Sequence, residues 1–113
     1  MHELSICEGI VQIIEDQAVE QNFTSVEKVR LEIGKLSGVE LEALRFGFDV
    51  VTKNTIAENA ELEIIELNGM AWCMPCEKSV SVSQLFDACP DCGGYQLQVT
   101  SGNEMRIKDL EVN

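Results

Sequence analysis

Histidine is nearly absent from this chain: its 113 residues contain one, at position 2. No Ser-His constellation, paired acid and base or phosphate-binding glycine loop is visible, so an enzyme is the weakest functional class. Apolar runs are short, none approaching the roughly 20 residues of a membrane span. No internal repeat or low-complexity tract is present, and no secretory signal precedes the chain, so the expected setting is the cytoplasm, with thiols reduced. Basic side chains are scarce as well, 8 Lys and Arg against 20 Asp and Glu, for a formal charge of −12. The segment Asn68 to Gly102 contributes −2 of it, from Glu77, Asp87 and Asp91 against the single Lys78. Nucleic-acid binders rely on basic patches that release counterions. Protein or metal-ion partners are favoured instead.

What is present is cysteine in pairs. Cys73-Met74-Pro75-Cys76 and Cys89-Pro90-Asp91-Cys92 form two C-x-x-C knuckles, close enough to converge on one tetrahedral ion. Zn²⁺ is commonly held this way, by four thiolates at about 2.3 Å each. Proline lies in each knuckle and Gly93-Gly94 follows the second, which suits tight turns around the sulfurs. With all four positions supplied by Cys73, Cys76, Cys89 and Cys92, the metal has no open site and is structural. Trp72-Cys73-Met74-Pro75-Cys76 superficially matches a dithiol redox motif, but such a cysteine opens a helix. Here the alternating Lys78 to Ser83 reads as strand.

Around that segment the apolar pattern is regular. Leu4, Cys7, Val11, Ile14 and Ala18 recur at steps of three and four, with Ile6, Ile10 and Ile13 widening the stripe, which predicts an amphipathic helix of about four turns. Cys7 falls on the stripe and reads as a small buried hydrophobe. Val29, Leu31 and Ile33 alternate with Lys28, Arg30 and Glu32 as a half-buried strand ending at Gly34. Ser37-Gly38-Val39-Glu40 has the form of a capping box, placing the start of a second helix at Ser37, with Leu41, Leu44, Phe48 and Val51 inside. Gly47 within that helix points to a close packing contact. Glu61 to Leu67 reads as a strand, and Met105, Ile107, Leu110 and Val112 as a last one. The expected fold is α+β: two helices on a three-stranded sheet, 1–68 plus 103–113, with an inserted four-cysteine zinc ribbon at 69–102.

The position of the one histidine matters more than its scarcity. Bulky His2 is expected to leave Met1 in place, with a free α-amine of pKa about 8. That amine, the His2 amide nitrogen and the His2 imidazole can close two chelate rings on one metal, with the amide nitrogen of Glu3 as a fourth donor. A planar set of nitrogens suits Ni²⁺ or Cu²⁺, whose tetragonal preference Zn²⁺ lacks.

Met1-His2-Glu3-Leu4-Ser5, Leu31-Glu32-Ile33-Gly34, the two cysteine pairs and Gly102-Asn103-Glu104-Met105-Arg106 together closely resemble the HypA/HybF family, nickel metallochaperones of [NiFe]-hydrogenase maturation. The resemblance covers essentially the whole chain. It implies that His2, with the amine of Met1 and the backbone of Glu3, carries nickel as transient cargo, and that the four paired cysteines carry zinc. It implies handover to the hydrogenase large subunit together with the GTPase HypB, and in some members a role in urease maturation. It also places an acidic side chain near Glu40 beside the nickel-binding N-terminus, where Glu40 would steady the coordination shell or serve only as a helix cap. One departure is plain: some relatives carry histidines beside the cysteine pairs, where this chain has Glu77-Lys78 and Gly93. The competing class is a zinc-ribbon interaction adaptor in which His2 is incidental; it predicts one tightly bound metal and no response to nickel.

Overall fold

The computed structural model describes residues 3–113, so Met1 and His2, and the chelate read from them, lie outside the described residues. Two helices and six strands follow in the order α1 (Glu3–Gln21), β1 (Val26–Gly34), α2 (Leu41–Val51), β2 (Glu61–Leu67), β3 (Gly69–Cys73), β4 (Lys78–Val82), β5 (Leu97–Ser101) and β6 (Met105–Val112). The architecture is α+β, as expected, with one three-stranded sheet ordered β2-β1-β6 and a second ordered β4-β3-β5. Among the described residues no helix is long and apolar enough to cross a membrane.

By packing, the chain divides into two compact units. The first comprises Met1–Leu31, Val39–Ile64 and Ile107–Asn113; the second comprises Glu32–Gly38 and Ile65–Arg106, a wider span than the 69–102 drawn from the sequence.

In the first unit α1 carries Glu3 in its first turn, where a carboxylate favours the positive end of the helix. The helix ends as Asn22 takes φ 60°, a left-handed exit that asparagine tolerates. Its buried residues are Cys7, Ile10, Val11 and Ile14. Ile13, about 110° round the helix from the centre of that stripe, is 51% exposed, so the buried face is narrower than the apolar content suggests. Leu44 and Phe48 from α2, Val26, Val29 and Leu31 from β1, and Ala57 are buried in the same unit. Each Val, Leu, Ile or Phe side chain among these contributes about 1.5–3 kcal/mol on burial. Gly47 sits where α2 meets α1: a Cβ there would stand 3.3 Å from Cys7 Sγ and 3.6 Å from Leu4 Cα. The expected close contact is present.

The start of α2 differs from the sequence expectation. Ser37 is not the cap: its N–H donates to Gly34 O at 3.0 Å, and Gly38 has φ +77°, so these residues turn the chain out of β1. The helix begins at Leu41 and Glu40 is the N-cap, with φ −83° and ψ 109°. Glycine in the left-handed region cannot belong to the first helical turn, which is why the capping-box pattern was not used. At the other end Thr52 caps α2, its N–H and Oγ1 both donating to Phe48 O, at 3.1 and 2.7 Å.

The second unit explains two of the sequence motifs structurally. Gly34 and Gly102 are in backbone contact: a Cβ on Gly34 would lie 1.9 Å from Gly102 O. Gly102 has φ +101°, and its own Cβ would lie 2.5 Å from Gly69 Cα. The contact is tied by Leu36 N–H to Gly102 O at 2.7 Å and Gly34 N–H to Glu104 O at 2.8 Å. Arg106 reaches Glu32 at 2.8 Å. No residue with a side chain fits at Gly34 or Gly102 without moving backbone.

Candidate metal centre

β3 pairs antiparallel with β4, Cys73 opposite Lys78, so the first C-x-x-C is the turn of a hairpin. The second knuckle precedes β5, which pairs antiparallel with the other side of β3, Cys73 opposite Leu97. The two knuckles are built alike. Glu77 N–H donates to Cys73 O and Gly93 N–H to Cys89 O, both at 2.8 Å. The residue closing each turn is left-handed, Glu77 at φ 51° and Gly93 at φ 73°. This curl aims amides at the first sulfur of each pair: Cys76 N–H at Cys73 Sγ, and Cys92 and Asp91 N–H at Cys89 Sγ.

All four sulfurs lie within 4.8 Å of one another. Cys73 Sγ is 3.7 Å from Cys92 Sγ, and Cys76 Sγ is 4.0 Å from Cys89 Sγ. A tetrahedral ion with ligands at about 2.3 Å sets its sulfurs about 3.8 Å apart, so the cage has the dimensions of a zinc tetrathiolate. The donor chemistry agrees. Amide donation from Cys92 and Asp91 draws the Cys89 thiol down to about 7, whereas the neighbouring Cys73 and Cys92 side chains push Cys76 up to about 12. Four thiols this close resist joint ionisation, a conflict that a divalent cation removes.

Cys73 and Cys89 are buried with Leu36, Ala71, Val80 and Val82, and Cys76 and Leu97 pack against them half-buried. Cys92 is exposed. So small a core depends on the sulfur cage for much of its cohesion. The Lys78–Asp91 ion pair, exposed on both sides, joins β4 to the second knuckle; such a pair adds little stability.

Cys7 belongs to the core of the first unit, as the sequence indicated. It is fully buried, its Sγ donates to Leu44 O at 3.3 Å, and burial, with the Glu3 carboxylate, pushes the thiol up to about 11. The structure brings Glu3 and Glu40 together: Glu40 N–H donates to Glu3 Oε2 at 3.1 Å, while Glu40 Oε1 accepts from Glu42 N–H at 3.3 Å. Sequence reasoning missed the left-handed Glu77, which nothing in its side chain signals, although the glycine at the equivalent position 93 was legible.

Residues 1–112 match the family model described as HypA, hydrogenase/urease nickel incorporation, metallochaperone. The chain is similar to the hydrogenase maturation factor HypA of Alkalilimnicola ehrlichii, 58% identical over 113 residues and covering 100% of both chains. It is 60% identical over 112 residues to the hydrogenase maturation factor HypA of Acidithiobacillus ferrooxidans, covering 99% of each. In fold it resembles the solution structure of the nickel metallochaperone HypA from Helicobacter pylori, with a TM-score of 0.71 at 24% identity, covering 99% of this chain and 97% of that one.

Proposed function

The chain belongs to the HypA family of hydrogenase/urease nickel-incorporation metallochaperones, and from that premise we propose how its two metals are divided. It is a hydrogenase maturation factor, and nickel is its cargo. Zinc belongs on Cys73, Cys76, Cys89 and Cys92, where it supplies a fixed positive charge that locks the two knuckles and leaves no coordination position for chemistry. The observation that carries this division is the sulfur cage itself: its four ligands already meet at tetrahedral distances, so cargo must bind elsewhere.

The nickel donors are then the α-amine of Met1, the amide nitrogen and imidazole of His2, and the amide nitrogen of Glu3. The one imidazole in the chain is at this position. Glu40 would steady the set from outside as an acidic neighbour, a role that its N–H bond to the Glu3 carboxylate supports. Delivery is to the hydrogenase large subunit, in concert with the GTPase HypB; urease maturation proteins are a further recipient class. The compartment is the cytoplasm, where thiolates stay reduced and available to zinc.

Nickel titration of zinc-loaded protein, followed by native mass spectrometry, tests the division. One Ni²⁺ per chain is expected beyond the zinc, and a single Gly placed before Met1, or His2→Gln, should abolish it while zinc is retained. A chelate built on the α-amine cannot survive an extension, so unchanged nickel uptake by the Gly-extended chain would sink the N-terminal assignment.

A further inference from the structure

The second unit has an edge that nothing in its own sheet uses. β5 lies at one margin of the β4-β3-β5 sheet. Met74 N–H donates to Gln96 O, so Gln96 and, two residues on, Gln98 turn their backbone groups toward β3. Leu97 and Val99 therefore turn theirs outward. Edges are normally blunted by charge or proline. The opposite margin, β4, begins with Lys78, and β6 carries Lys108, Asp109 and Glu111, but Tyr95 to Ser101 contains neither a charge nor a proline. The irregular step of its register, between Met70 and Ala71, lies at the Ser101 end and leaves the run from Leu97 to Val99 regular.

Beside this edge is an apolar cleft of about 200 Å³, floored by Ala71 and Val82 and walled by Leu85, Phe86, Tyr95 and Val99. Tyr95, Leu97 and Val99 alternate along the chain, so the cleft and the free edge belong to the same stretch of backbone. Tyr95 is 73% exposed and Phe86 is 92% exposed. Phe86 is held in the left-handed region, φ 70°, where a bulky side chain is rare. Asp87 fixes that loop, its Oδ2 accepting from Ser83 N–H at 3.0 Å and Gln84 N–H at 3.1 Å, and it places a carboxylate at the cleft. An aromatic held out in this way contributes nothing to the unit's own core.

We propose that the β5 edge and its cleft receive an extended segment of a partner protein, which adds as a fourth strand beside Leu97 and Val99. Its alternate apolar side chains enter the cleft, and its flanking residues are basic. Main-chain bonds to an edge supply affinity in this mode, and pockets for alternate side chains supply selectivity. The charge of the guest follows from that of the host: the segment Asn68 to Gly102 is −2, so an acidic strand is repelled, and a second copy of this chain, though its own β5 is uncharged, is disfavoured by the −12 that each copy carries. The surface is independent of where nickel binds.

Zinc-loaded protein is panned against a displayed library of random nonapeptides. The expected winners alternate apolar residues with lysine or arginine. On binding, a synthetic winner should slow amide hydrogen exchange at Leu97 and Val99. Val99→Lys puts a like charge at the cleft and should weaken that peptide at least tenfold. Trp72→Ala, on the opposite face of the same sheet, should leave affinity within twofold. Zinc content and melting temperature verify that both variants fold. Winners that are acidic, or that bind Val99→Lys as well as the parent, overturn the proposal. So does a library that yields nothing. Sedimentation showing a dimer of the parent chain that Val99→Lys dissolves overturns it in favour of β5 pairing with its own copy.

Discussion

Each knuckle closes on a left-handed residue, Glu77 in one and Gly93 in the other, and exchanging the residue types there should move zinc affinity in opposite directions. Gly93 has φ +73°, and a Cβ built on it meets nothing within 4 Å. Gly93→Ala therefore isolates the conformational cost, with no clash to confuse it. A left-handed non-glycine residue costs roughly 1–2 kcal/mol, and the stiffer unfolded chain of the alanine variant returns about 0.4–1 kcal/mol. The net is a loss of about 1 kcal/mol, or about fivefold in an equilibrium constant. Because folding of so small a metal module and metal binding are one equilibrium, the loss appears as zinc affinity.

Glu77, at φ 51° in the matching position, already bears that strain. Its side chain is exposed, so Glu77→Gly relieves the strain without opening a core. Set against glycine's entropy of about 0.5–1 kcal/mol, the expected gain is about 0.5–1 kcal/mol and zinc two- to fivefold tighter. Competition against a chromophoric chelator at neutral pH reads both, with far-ultraviolet circular dichroism verifying that the helices are unaffected. If both variants loosen zinc, the left-handed turn is not the relevant variable and the reasoning fails; the same holds if neither moves.

Cys89→Ser should release zinc, measured by elemental analysis, and lose ribbon amide protection while the helical signal persists; zinc retained at one per chain would count against the assignment. Glu40→Gln should leave the melting temperature nearly unchanged, since an amide oxygen still accepts from Glu42 N–H, yet weaken nickel binding roughly tenfold through loss of the charge; superimposable nickel titrations would make Glu40 a cap alone. Glu104 is held below its ordinary 4.5 by its own N–H and by Gly102 N–H, which donates to its Oε1 at 2.7 Å. A lowered carboxyl contributes stability that is present above the unfolded value and lost as pH falls through the folded one. Glu104→Gln should therefore flatten the pH dependence of unfolding below about pH 4.5, and an unaltered slope in denaturant titrations would refute this.

How much of this was legible beforehand depended on how local the cause was. The β2 limits, Glu61 to Leu67, match the sequence pattern because a strand's period is set by adjacent residues. The cysteine cage was legible for a similar reason: spacing within each pair fixes the knuckle. The start of α2 was misjudged because the Ser37-to-Glu40 pattern competes with a turn that Gly38 imposes, and a pattern match does not tell which conformation wins. The meeting of Gly34, Gly69 and Gly102 could not be read at all, since each glycine is explained only by a partner more than thirty residues away in sequence or by backbone from another strand. β5 escaped notice because Leu97 and Val99 alone make too short an alternation to announce a strand.

Under the proposed division, the scarcity of histidine is what separates the two metals. Zinc prefers a tetrahedral set of thiolates, whereas Ni²⁺ gains from a planar set of nitrogens. The sulfur cage, with contacts of 3.7 and 4.0 Å, is fixed by two matched turns whose closing hydrogen bonds are each 2.8 Å. Flattening it to suit nickel would break those turns. Conversely, the one imidazole in 113 residues is at position 2, so the segment 69–102 has no histidine of its own to replace a thiolate when acid protonates it. If zinc occupies the cage as proposed, acidification should release it rather than recruit a histidine of the ribbon. In the proposed division, a metal exchange between the two sites would require each to adopt the geometry its ligands resist, so selectivity would follow from shape and donor type before any difference in intrinsic affinity.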